Sequence, residues 1–197
     1  MAGAGDLYRK RLGLEDKTVF FYGGNIGHAQ DMMNIVRLAK NIQDEKNAHF
    51  VLVGTGDEVE LVRSAMENDG VDNMTLLPSV SQEVYQEMLT EFDVGLFSLH
   101  RDHTTHNFPG KLLGYMAYEK PILGSVNPGN DVQQVIEDAK AGFITINGDD
   151  EAFTHNALVL LKDHEHRTRL GKNARQLLSD TFSVEAACRQ ILKSVSN

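Results

Sequence analysis

The sequence predicts an α/β fold: a doubly wound, Rossmann-like parallel sheet of about six strands, with helices on both faces and a helical C-terminal tail. Three observations lead there. Short apolar runs alternate with longer stretches of helical period; most of the runs end on glycine, proline or a polar turn; and after about residue 150 only helical patterns remain. No internal repeat, low-complexity tract or linker interrupts the pattern, so residues 1–197 read as a single domain.

The strands are expected at 18–23 (TVFFYG), 49–54 (HFVLVG), 74–77 (MTLL), 94–98 (VGLFS), 121–125 (PILGS) and 143–146 (FITI). After the first strand, Met32, Ile35, Val36, Ala39 and Ile42 recur at the spacing of one buried helix face. Val59, Val62 and Met66 do the same after the second, where Asp57 and Glu58 read as caps. Ser81, following Pro78, is placed to cap the next helix. Further on, Leu112, Leu113, Met116 and Ala117 make an apolar face, which puts Lys111, Gly114, Tyr115 and Tyr118 on a stripe turned away from the core. Helices at 150–162, 164–180 and 183–195 close the chain.

Composition narrows the function. Nineteen Lys and Arg against 28 Asp and Glu give a net charge of −9, and the densest basic stretch, KDHEHRTRLGKNAR, interleaves its cations with acids. Phosphate backbones require clustered cations, so nucleic acid is not expected as a partner. His100, His103 and His106 stand at three-residue spacing, but in a Thr-rich loop without the firm scaffold that zinc ligands use. The one cysteine, Cys188, excludes an internal disulfide and reads as helix packing. The chain lacks an apolar run approaching the roughly 20 residues of a membrane span, and MAGAGDLYRKRLG lacks the apolar centre of a signal peptide, so a cytoplasmic location is expected.

Doubly wound sheets bind ligands beyond the carboxyl ends of their strands. Four segments fall there. YGGNIGHAQD (22–31) ends the first strand with glycines whose N–H groups could approach a phosphate, with Gly24 and Asn25 at its centre; a plain tight turn fits the same residues. Gly23, Gly24 and Gly27 do not match the dinucleotide fingerprint G-x-G-x-x-G, and no acid closes the second strand to hold an adenosine ribose. Gly54 and Gly56 in VLVGTGD are expected to leave the crevice open. Pro78, Ser79 and Val80 form a short stiff turn that could offer backbone groups to a flat base. Finally, Asn107, Phe108, Pro109, Gly110 and Lys111 bring helix N–H groups, a cation and room for close approach, a good setting for a diphosphate. Gly114 costs its helix about 1 kcal/mol relative to alanine, which suggests that space is wanted there, although helix packing is an equal explanation.

The segment NFPGKLLGYMAYEKPILGSV resembles the signature of the family-four GT-B glycosyltransferases of bacterial polysaccharide and lipopolysaccharide synthesis, whose members read roughly x-P-x-K-x-x-E-Y-M-A-x-G-K-P-I. The likeness extends in order through YGGNIGHAQDMMNIVRLAK, VLVGTGDEVELV, VYQEMLTEFDVGLF, AGFITINGDDEAF and LGKNARQLLSDTFSVEAA. The resemblance implies that this chain is the donor-binding C-terminal half of a two-domain enzyme, with MAGAG as a leader and the acceptor-binding N-terminal domain absent from the chain. It implies a retaining transfer from a nucleotide diphosphate sugar, UDP-linked, to a surface polysaccharide or a lipid-linked acceptor at the inner face of the membrane, with no metal or covalent cofactor. Lys111 would then be the catalytic cation. The family's two glutamates, with seven residues between them, fall on His106 and Gly114, so neither carboxylate is present here, and the Arg and Lys that many relatives carry after the first glycine loop are missing too. A non-catalytic or degenerate nucleotide-sugar-binding module, and a GT-B-type sugar-nucleotide epimerase, remain as alternatives.

Overall fold

In the computed structural model, residues 6–102 and 108–182 are described. The expected sheet is present: six parallel strands in the order β3-β2-β1-β4-β5-β6. They span β1 Thr18–Asn25, β2 Ala48–Thr55, β3 Met74–Leu77, β4 Val94–Ser98, β5 Ile122–Val126 and β6 Gly142–Ile146. The helices that follow them are α2 Met32–Asn41, α3 Val59–Asn68, α4 Gln82–Glu91, α5 Gly110–Ala117, α6 Asp131–Asp138 and α7 Asp150–Lys162; α8 His164–Thr181 packs after α7. The expected helix at 183–195, Cys188, the first five residues, His103, His106 and Asn107 lie outside the described residues.

Strand alternation divides the core into two layers. Phe20 and Tyr22 of β1 join Phe50 and Leu52 of β2 against Met32, Ile35, Ala39, Val62 and Phe153 on one face. Val19 and Phe21, with Val51 and Val53, point to the other face, against Met88, Leu89, Leu112, Tyr115 and Ile136. Side chains buried on both faces explain why the strands read as continuous apolar runs.

Two local expectations are corrected. On α5 the buried face is Leu112, Tyr115 and Met116, each fully buried, while Leu113 is 37% exposed. The spacing of the apolar letters favoured Leu113, but a tyrosine whose hydroxyl finds partners fills the same i, i+3, i+4 stripe. At the start of α3, Glu58 makes no side-chain cap hydrogen bond, so the acids there do not act as caps. Ser81 does cap α4, accepting from Val84 N at 3.4 Å.

A short helix not expected from the sequence, α1 Leu7–Leu12, precedes the sheet; its letters LYRKRL show no apolar stripe. Tyr8 joins the core layer, and polar contacts fix the helix in place. The Glu91 carboxylate accepts from the N–H groups of Tyr8 at 2.8 Å and Arg9 at 3.0 Å. Arg9 is buried; its guanidinium donates to the carbonyls of Leu14, Lys17 and Glu91 and reaches Asp93 Oδ2 at 2.6 Å. The same carboxylate oxygen accepts from Val19 N at 2.7 Å and so ties α1 to the start of β1. Asp93→Ala leaves the guanidinium without its counter-charge, and urea denaturation should show a loss of about 3 kcal/mol.

Candidate functional site

The site begins where two strands part. β1 and β4 are neighbours, yet they pair only over Phe20↔Val94 and Phe21↔Gly95. Beyond that, β1 continues to Asn25 beside β2, and β4 continues to Ser98 beside β5. The two chain directions of the winding meet at this gap, which is where such sheets open a crevice. Tyr115 of α5 occupies it. Its hydroxyl accepts from Gly23 N at 3.4 Å and donates to Leu96 O at 3.0 Å, replacing the ladder bonds the parted strands cannot make. Its ring lies flat on Gly95, where a Cβ would come within 2.3 Å of the ring.

Above the gap is a cleft of about 410 Å³, lined by Gly23, Gly24, Val53, Gly54, Thr55, Ser79, Val80, Gln82, Tyr85 and Lys111. No carboxylate lines it among the described residues. Lys111, in the first turn of α5, stretches its side chain over β1: Nζ sits 3.6 Å from the centroid of the Tyr22 ring. A Cβ on Gly24 would stand 3.4 Å from that nitrogen, and Gly24 itself has φ +136°, a conformation that glycine alone adopts without strain. Among the described residues Lys111 has no acidic partner. Burial without a counter-ion lowers its ammonium from the ordinary 10.5 to about 7. Pro109, which precedes α5, supplies no side-chain cap, so the helix leaves N–H groups uncapped close to this cation.

Of the residues singled out from sequence, Gly24, Gly54, Ser79, Val80 and Lys111 line the cleft together. Others do not. Asn25 turns its amide to Gln30 at 2.8 Å. Gly56 lies outside the lining, and both it and Gly54 let the loops pack closely: a Cβ would lie 2.0 Å from Ile26 O at Gly56 and 1.8 Å from Gly24 O at Gly54. Phe108 packs on Phe182 with centroids 4.6 Å apart, and Pro78, Pro109 and Gly110 lie outside the lining. A Cβ on Gly114 would fit without a clash, meeting Leu89 at 3.7 Å and the Tyr85 hydroxyl at 3.9 Å, both ordinary contacts. Sequence reasoning missed Gln82 and Tyr85, which open α4. The available signal was their place, immediately after the turn at 78–80 that had been assigned to the site.

The glycosyl transferases group 1 family model matches residues 6–177. The chain belongs to that family. The resemblance to GT-B glycosyltransferases drawn from the motifs is thereby shown. Among group 1 relatives, the N-acetyl-alpha-D-glucosaminyl L-malate synthase of Bacillus anthracis is 25% identical over 183 residues, covering 92% of this chain and 46% of its own. The putative colanic acid biosynthesis glycosyl transferase WcaI of Escherichia coli K12 is 29% identical over 113 residues, 57% of this chain and 28% of its own. The chain thus spans less than half the length of these curated relatives. Two solved structures share the fold: Staphylococcus aureus TarM, in a complex that includes UDP, with TM-score 0.75 at 14% identity over 90% of this chain and 35% of its own, and Anabaena HepE with UDP-glucose, with TM-score 0.71 at 17% identity over 97% and 52%.

The Lys111 environment sets a pH dependence. The folded state releases this proton at about 7 and the unfolded state at about 10.5, so between those values the unfolded chain binds more protons and stability rises with pH. The penalty of the buried charge is fully present below about 7. Lys111→Met, which keeps the stem and removes the charge, should therefore melt at a higher temperature than the native chain at pH 6, with the difference shrinking as pH rises to 10; thermal unfolding across that range measures it.

Proposed function

We propose that this chain is the donor-binding half of a glycosyltransferase that uses a nucleotide diphosphate sugar, UDP-linked, and passes the sugar to a polysaccharide or lipid-linked acceptor. The observation that carries the reading is a half-buried ammonium with no acidic partner among the described residues, at a cleft that no described carboxylate lines, beside the backbone of Gly24 and the uncapped start of α5. Such a place favours an anion with several oxygens. A diphosphate supplies them, and its two negative groups replace the counter-ion that no described residue provides. The UDP and UDP-glucose bound by TarM and HepE support the choice of nucleotide.

In this reading the base lies on the turn at Ser79 and Val80 and the diphosphate on Gly24 and Lys111. As the bond from the anomeric carbon to the β-phosphate oxygen breaks, negative charge grows on the leaving diphosphate. Lys111 and the α5 N–H groups are already oriented towards that charge and stabilise it without rearrangement. Lys111 is the catalytic residue in this sense. Transfer with retention, and without metal or cofactor, follows the family resemblance. The acceptor would be held by an N-terminal domain that precedes this half in the full enzyme, working on the cytoplasmic side and at the periphery of the membrane; the half on its own would bind donor without turnover. No helix among the described residues is long and apolar enough to cross a membrane.

No carboxylate lines this half of the cleft among the described residues, which favours the transferase over an epimerase, whose acid and base chemistry needs such groups in the cleft. Isothermal calorimetry tests the donor reading. UDP should bind the chain at millimolar concentration or below, and Lys111→Ala should weaken UDP by roughly 10- to 100-fold, the range of a hydrogen bond to a charged group, while leaving uridine unchanged. Equal losses for UDP and uridine would remove the role of Lys111. Absence of UDP binding, in this half and in the complete enzyme, would remove the reading.

A further inference from the structure

Tyr22 is a tyrosine in an apolar layer, fully buried near the end of β1 in the cluster that holds Phe20, Ile26 and Met32. A leucine would fill such a place, so its ring and its hydroxyl each need a reason. The hydroxyl donates to the carbonyl of Asn25 and ties the ring to the end of the strand. Burial pushes the phenol up, so the proton that makes this bond stays on it. The ring carries the ammonium of Lys111, with Nζ 3.6 Å from its centroid. Strand alternation explains how a lysine arrives there from a helix packed on the opposite layer. Tyr22 and Gly24 stand two residues apart in β1 and share a face. Gly24 carries no side chain, and a Cβ there would stand 3.4 Å from Nζ, so the glycine leaves the approach to the ring open. Among the described residues neither a hydrogen bond nor a carboxylate fixes this ammonium; the ring face is the contact that does.

We propose that Tyr22 is a positioning residue: its ring face holds the Lys111 ammonium beside the Gly24 backbone, in the place where the diphosphate meets it, before the ligand arrives and after it has bound. The inference rests on the donor-binding reading above. A lysine carries its charge on a flexible four-carbon stem and loses that freedom when it grips an anion. A seat prepared beforehand removes most of the loss. The aromatic face suits this task better than the alternatives. A carboxylate would hold the ammonium more firmly, but it would neutralise the charge and repel the diphosphate. An aliphatic seat would offer no attraction at all. The face of a phenol attracts the cation and leaves its outward N–H donors free for phosphate oxygens. Tyr22 touches no part of the ligand and acts through Lys111.

A double-mutant cycle tests it, read by calorimetry of the 197-residue chain with inorganic pyrophosphate at pH 6. Tyr22→Leu should bind about tenfold more weakly than the native chain, the scale of a desolvated cation–π contact, and should lose almost nothing in the Lys111→Ala background. Tyr22→Phe keeps the face and should stay closer to the native affinity than Tyr22→Leu. Equal losses for Tyr22→Leu in the two backgrounds would mean that the residue only supports the fold. No loss with Lys111 present would mean that the ring places nothing, and a loss as large in Tyr22→Phe would assign the effect to the hydroxyl. Each of these overturns the inference and leaves the donor-binding reading standing. A second readout needs no variant: the ring current of Tyr22 should move the Lys111 Hε protons upfield of those of the other lysines, in the free chain and with pyrophosphate bound. Ordinary positions in the free chain, or a return to them on binding, overturn the inference even where Tyr22→Leu fails to fold. An undiminished affinity in Lys111→Ala removes the role of Lys111 and this inference with it, and failure of the native chain to bind pyrophosphate overturns both readings.

Discussion

The hydroxyl of Tyr115 joins Gly23 N to Leu96 O across the gap between β1 and β4, and the rest of the site depends on that junction. Parting two strands of a sheet exposes an N–H and a C=O that would otherwise be paired, and leaving such groups buried and unsatisfied costs roughly 1–3 kcal/mol each. A phenol on the following helix satisfies both. The strands can therefore diverge, the crevice can open, and α5 is held with its N-terminus, and Lys111, over the end of β1.

A second constraint acts in the opposite direction. Lys111 is drawn out of water to lie on the face of Tyr22, and no acid among the described residues compensates it. The ring offers some attraction to the cation, though not enough to prevent burial from lowering its affinity for a proton. The fold carries this strain at the one place where an incoming anion would relieve it. Binding of a diphosphate and uptake of a proton by Lys111 are then linked, and the same charge serves the leaving group during transfer. The glycines around the crevice fit the same purpose, since Gly23 and Gly95 accept aromatic rings directly on the strands and Gly24 brings backbone close to the ammonium.

The sheet was legible in the sequence because each strand is buried on both faces and ends at a turn signal; all six stand at the expected places within one or two residues. The crevice was legible from topology together with the Gly24 and Lys111 segments. Other features carried no letter-level signal. α1 is held by Arg9, Glu91 and Asp93, residues more than 80 positions apart in the chain, so its own sequence could not announce it. Tyr115 read as polar because its hydroxyl was counted, whereas its burial depends on partners supplied by two strands. Gly54 and Gly56 read as space for a ligand and proved to be space for backbone, a distinction that only the approach of Gly24 and Ile26 could decide. Tyr85 went unnoticed because nothing in a helix-start sequence shows that its ring turns back over β1.

The central claim is that Lys111 is a half-buried cation waiting for a diphosphate. Nitrogen-15 NMR of the Lys111 amine across a pH titration, with and without inorganic pyrophosphate, tests it most directly. The account predicts an amine that titrates near 7 in the free chain and stays protonated to clearly higher pH once pyrophosphate is bound. Titration near the ordinary 10.5 in the free chain, or a curve that pyrophosphate leaves unmoved, would contradict it.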